Sequence, residues 1–202
     1  MSADRHEYDV VVTWTGNRGR GTATYGAYGR EHEVTYGGSR RGDSVGEPTQ
    51  GWVGDPPAIA GSADPAFRGD PTRWNPEQLL VAAVSQCHML WFLHLAVEAG
   101  VVVTAYQDRA HGVMVVDGTG GPGGGRFDRG VLRPVVALAG GTEGSASDTG
   151  HGADEGDAAT RRLHEQALSA HHEAHARCFI ANSLSIPVEV EPEIRTPESL
   201  KP

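Results

Sequence analysis

WNPEQLLVAAVSQCHMLWFLHLAVEAG, residues 74–100, is the stretch that decides the fold. Asn75 is a good N-cap, Pro76 suits the first helical position, and Glu77 favours the positive end of the helix dipole. Gln78, three residues after the cap, completes a capping box. The helix is expected to run to about Glu98 and to stop at Gly100. Apolar residues occur all round it, which marks a helix buried on most sides. In a chain of 202 residues such a helix calls for a partner subunit to cover it. Cys87, one of only two cysteines, sits in its middle.

Working outward, "EYDVVVTWTG" (7–16) reads as a strand from its β-branched and aromatic residues. "GNRGRG" is a turn, and "GTATYGAYGREHEVTYGG" supplies one or two further strands. Residues 37–72 are rich in Gly, Pro, Asp and Ser and read mostly as loop. Beyond the helix, "VVVTAYQDRAHGVMVVDG" is strand material with a bulge near its middle, and "TGGPGGGRF" is a hairpin leading to the strand "GVLRPVVALAG". Residues 140–157 read as an acidic loop, "AATRRLHEQALSAHHEAHARC" as a second helix and "SIPVEVEPEI" as a closing strand. Strands, helix, strands, helix, strand is an α+β order, with an antiparallel sheet packed on a long buried helix. The length suits a single domain, residues 1–202.

The net charge of −9 argues against non-specific nucleic-acid or anionic-membrane binding. Ser85, Gln86, His88 and His94 interrupt the apolar helix and would be costly in lipid. The N-terminus lacks the apolar core of a signal peptide, and two cysteines are too few for a secreted disulfide framework. A soluble cytoplasmic protein is expected.

The glycine-rich segments lack the Lys-Ser/Thr of a P-loop and read as hairpins. His171, His175 and Cys178 are spaced four and three apart, so they share one helical face. Two imidazoles and a thiolate could hold zinc, although "HHEAH" lacks the spacing of HExxH. The bland reading of that cluster, His172 included, is a solvated helix face. Cys87 by itself reads as a small buried hydrophobe, and reactivity needs a cation to lower its pKa. Arg18, Arg20, Arg68 and Arg73 are the candidates, and Glu77 could orient one of them. Ten residues separate Glu77 from Cys87, about 15 Å along one helix, so these two cannot touch directly.

"NPEQLLVAAVSQCH", the strands before it and "AHARCFIANSLSIPVEVEPEI" at the end resemble the OsmC/Ohr family of thiol-dependent peroxidases. The resemblance runs from about residue 8 to residue 194 and leans toward the OsmC-like branch. It implies an intertwined homodimer in which curved antiparallel sheets wrap two central helices. It implies reduction of organic hydroperoxides, with hydrogen peroxide also accepted, and no metal or organic cofactor; the alternative on the same fold is a non-catalytic, dimeric binding protein whose cysteines are structural. Cys87 corresponds to the peroxidatic thiol, Cys178 to the resolving thiol and Glu77 to the carboxylate of Asn-Pro-Glu. Arg68, nine residues before Glu77, is the first choice for the activating arginine, with Arg18 and Arg20 as alternatives. Met89, Trp91 and Phe92 are candidate walls of an apolar substrate cleft, and an external dithiol or lipoyl-type reductant is expected. The chain departs from the family pattern at His88 and Phe179, which follow the two cysteines.

Overall fold

The computed structural model describes residues 8–20, 22–37, 56–121, 123–139 and 153–195. The chain divides into two compact units, Met1–Leu79 and Leu80–Pro202.

In the first unit, β1 (Val10–Trp14), β2 (His32–Tyr36) and β3 (Ile59–Gly61) form an antiparallel sheet in that order. Val12 faces Val34, and His32 faces both Trp14 and Gly61. Every residue of β1 is exposed, including Val10, Val11, Val12 and Trp14. The segment "GTATYGAYGREHEVTYGG" contains one strand, β2, and bends before it. The expected loop at 37–72 contains β3 and a 3-10 turn, Pro65–Phe67, capped by the Asp64 carboxylate. Residues 38–55 of it lie outside the described residues.

Helix α1 spans Pro76–Glu98. The capping box forms reciprocally: the Gln78 N–H donates to Asn75 Oδ1 (2.7 Å), and the Asn75 N–H donates to Gln78 Oε1 (3.1 Å). At the other end Gly100 takes a left-handed conformation (φ 71°), and the Val101 N–H reaches back to the Ala96 carbonyl. Length and composition would allow α1 to cross a membrane. Val84, His88, Phe92, Leu95 and Ala96 are nonetheless buried under protein, while Leu90 and Val97 are exposed.

The second unit contains two three-stranded sheets, between which the chain passes at Asp108–His111 and at Leu132–Pro134. The expected single strand at 101–118 is two, β4 (Val103–Asp108) and β5 (His111–Val115). The strand expected at 130–140 is likewise two, β6 (Arg126–Leu132) and β7 (Pro134–Leu138). Two short strands, β8 (Val188–Val190) and β9 (Glu193–Arg195), close the chain. One sheet has the order β4-β7-β9 and the other β5-β6-β8. The break is built from side chains: Asp108 Oδ1 accepts from the Arg133 N–H (2.7 Å), and the Arg133 guanidinium pairs with Glu191 (2.9 Å).

The antiparallel expectation holds for β4–β7 and β5–β6. It is corrected at β6–β8 and β7–β9, which are parallel. The reason is the connection: between β7 and β8 the chain crosses over through helix α2, Ala153–Arg177. The acidic segment 140–157 therefore ends in helix from Ala153 onward, and 140–152 lie outside the described residues. A short helix α3, Phe179–Asn182, follows Cys178. The core gathers Phe92, Leu95, Val101, Val136 and Leu138 against Ala167, Ala170 and Ala174 of α2.

Candidate functional site

Two residues that are 91 positions apart in sequence meet in the second unit. Cys178 is the N-cap of α3 and is 1% exposed; the Ala181 N–H donates to its sulfur (3.4 Å). Its thiol donates to the Val84 carbonyl of α1 (3.9 Å), one turn before Cys87, and has the Cys87 side chain as a neighbour. Both cysteines are free thiols, Cys87 half-buried and Cys178 buried. Burial, together with the neighbouring Cys87 thiol, pushes Cys178 up to about 11, so it keeps its proton at neutral pH; the Ala181 hydrogen bond opposes this.

The residues flanking Cys178 grip the next turn of α1. Phe179 meets the Trp91 ring edge-on (centroids 5.5 Å), and the Arg177 guanidinium lies over the same ring (5.6 Å). Arg177 also pairs with Glu173, one turn back on α2. Trp91, four residues after Cys87 and an expected cleft residue, thus meets both residues that flank Cys178. Met89 is half-buried, whereas Phe92 is fully buried in the core.

Phe92 stacks face to face on His171 (centroids 3.7 Å, planes 8° apart). His171 Nδ1 lies 3.0 Å from His88 Nε2, and both rings are buried. The two rings are nearly coplanar (12°) with centroids 5.3 Å apart. Such an arrangement is an in-plane N–H···N bond, since a face-to-face stack would bring the centroids closer. Burial pushes His88 down to about 4, helped by His175, and His171 down to about 3, helped by His88. Around the pair, His88 Nδ1, His171 Nε2, His175 Nδ1 and the Tyr106 hydroxyl are buried without hydrogen-bond partners among the described residues.

The zinc alternative drew on the same face, of which this pairing takes up one nitrogen. His171, His172 and His175 line a groove with Glu189, but His171 spends Nδ1 on His88 and Cys178 is turned to Val84. Among the described residues no three His, Cys, Asp or Glu side chains are grouped to hold a metal.

The first unit places the other expected residues. Arg18 pairs with Glu31 (3.1 Å), and Arg20 is exposed in the turn after it. Arg68 has a left-handed backbone (φ 67°), and its guanidinium lies 5.7 Å from the Tyr25 ring centroid. Glu77 Oε2 is buried without a hydrogen-bond partner, and no ion pair joins it to Arg68 among the described residues. Sequence reasoning passed over Arg177 as a cation and His88 as a partner of His171; only the packing of α2 on α1 reveals either.

Solved structures match this arrangement over nearly the whole chain. An OsmC-like protein of unknown function from Vibrio cholerae is 27% identical with a TM-score of 0.63, over 93% of this chain and 99% of that one. The chain has the OsmC-like fold. An organic hydroperoxide resistance protein from Elizabethkingia anophelis shares the OsmC-like fold at 15% identity and a TM-score of 0.53 (96% and 99% covered). So does OhrB, the organic hydroperoxide resistance protein of Bacillus subtilis, at 17% and 0.50 (94% and 98%). No family model matches the chain, and neither does any curated protein.

Proposed function

We propose that this OsmC-like chain is a thiol-dependent peroxidase that reduces organic hydroperoxides, and hydrogen peroxide as well, through Cys87 and Cys178. The observation that carries the reading is that two free thiols, 91 positions apart in sequence, are brought together, Cys178 bonding the Val84 carbonyl one turn before Cys87. The Cys87 thiolate attacks the distal peroxide oxygen; the O–O bond breaks and the alkoxide leaves, taking up a proton as the alcohol. Cys87 is then a sulfenic acid. The Cys178 sulfur attacks it, an S–S bond forms, and hydroxide leaves with the Cys178 proton as water. An external dithiol, such as a lipoyl group, restores both thiols by exchange and is itself oxidised.

An arginine stabilises the attacking thiolate and polarises the peroxide; Arg68 is the first candidate, with Arg18 and Arg20 as alternatives, and Glu77 is the carboxylate proposed to orient it. Trp91 supplies an apolar wall beside the thiols. The active form is a homodimer, which covers the exposed apolar residues of β1 and α1. Two free cysteines suit the cytoplasm, where thiols stay reduced.

The test is consumption of cumene hydroperoxide or tert-butyl hydroperoxide with dithiothreitol, wild type against Cys87→Ser. Wild type turns over and Cys87→Ser does not; equal slow consumption by both refutes the peroxidase reading.

A further inference from the structure

From Ala167 to Ala174 helix α2 presents a smooth face to the core. The buried side chains there are Ala167, Ala170, Ala174 and His171, and the three alanines provide almost no relief against sliding. Half-buried Leu163 packs on the core one turn earlier. Small side chains let helices approach closely, but ridges fitted into grooves are what set the relative position of two helices. On α2 the one large buried side chain among the described residues is His171.

On α1 three contacts of this end of the chain fall on one stripe, Val84, His88 and Phe92, spaced four apart. Cys178 meets Val84, His171 bonds to His88, and His171 stacks on Phe92. Arg177 and Phe179 reach Trp91 beside that stripe. His171 and Cys178 are seven residues apart, two helical turns, and lie on the same face.

We propose that His171 is a positioning residue for the thiol pair, pinning α2 to α1 through His88 and Phe92 in the register that sets Cys178 beside Cys87. The imidazole pair leaves two ring nitrogens buried without partners, a cost that two apolar side chains would avoid. What the imidazoles add is direction. An in-plane N–H···N bond tolerates little displacement, and a slide by one residue moves a helix about 1.5 Å along its axis. Polar groups buried in this way are best attested as register devices. The proposal rests on Cys87 and Cys178 forming a disulfide; it does not need peroxide to be the oxidant.

The experiment is a thiol–disulfide equilibrium of the full chain against dithiothreitol, which reads the effective concentration of one thiol at the other. Relative to wild type, His171→Leu lowers it about three- to tenfold, the loss expected for one buried hydrogen bond. His171→Asn, which keeps a hydrogen-bonding group at the δ position, recovers most of the loss. Val101→Ala trims the same core beyond the far end of α1, weakens the fold and leaves the equilibrium where it was. If His171→Leu does not fold, His88→Leu against His88→Gln gives the same comparison, because Gln keeps a donor at the ε position.

An unchanged equilibrium in the Leu variant overturns the proposal. So does an equal shift in Val101→Ala, a failure of Asn to rescue, or a wild type that forms no disulfide. Peroxide consumption measured alongside separates the two claims. A wild type inert to peroxide that still shows the His171-dependent equilibrium removes the peroxidase reading and leaves the pin standing.

Discussion

The Cys178 thiol donates to the Val84 carbonyl, 3.9 Å away, one turn before Cys87 on α1. A thiol so buried, pushed up to about 11, is a poor first nucleophile. The proposed reaction accordingly gives Cys178 the second step, and the Cys178→Ser variant tests that assignment.

Cys178→Ser keeps the first step and loses the second. Peroxide treatment then leaves Cys87 as a sulfenic acid that a dimedone-type probe labels, whereas wild type labels weakly. Steady-state turnover with dithiothreitol falls because the intermediate must wait for an external thiol. Equal labelling of wild type and variant contradicts the assignment.

The activating cation is read by substitution. Arg68→Met lowers kcat/KM about a hundredfold, in the range for loss of a charged group that stabilises the transition state. Alkylation of the Cys87 thiol at neutral pH slows in the same variant. If Arg177→Met produces that pair of effects and Arg68→Met does not, the activating role passes to the arginine that lies over Trp91.

Acid weakens the fold through the buried imidazoles. His88 and His171 have folded values of about 4 and about 3, below the ordinary 6.5. The unfolded chain therefore takes up protons first as pH falls. Stability from this source is complete above about 6.5 and is lost between there and about 3, on the order of a few kcal/mol. The groups facing the pair are His175 on α2 and Tyr106 on β4; the Tyr106 hydroxyl is pushed well above its usual value by burial and then by Asp108, so it stays neutral. Urea midpoints for wild type should fall steeply below pH 6, and the double variant His88→Leu, His171→Leu should lose most of that slope.

Asn75→Ala removes one arm of the capping box and costs about 1 kcal/mol. The urea midpoint reports it, and a drop of under a few tenths would show that the box contributes little.

Leu90 and Val97 are 63% and 77% exposed, and β1 presents valines on both faces. Leu90→Asp is expected to weaken the dimer at least about tenfold, seen as monomer by sedimentation. A wild type that sediments as a monomer at micromolar concentration removes the dimer from the account.

How much of this was legible follows from which interactions are local. Helix α1, its Asn75–Gln78 box and its Gly100 stop were readable because each involves residues within a few positions. The break that splits the long strands at Asp108 and Arg133 was not, because side chains 25 residues apart make it. The parallel pairing of β8 and β9 depends on the crossover through α2, which alternation along a strand does not encode. At the site, the two cysteines were legible through the resemblance. The His171 face was visible as a spacing, but its partner His88 is 83 residues away, so it read as a solvated or metal-binding cluster.

The most direct measurement is mass spectrometry of the reduced chain after one equivalent of an organic hydroperoxide. The account predicts loss of two hydrogens, with the peptides containing Cys87 and Cys178 joined by a disulfide and the hydroperoxide converted to its alcohol. Both thiols still open to alkylation after excess peroxide, with the peroxide intact, would contradict it.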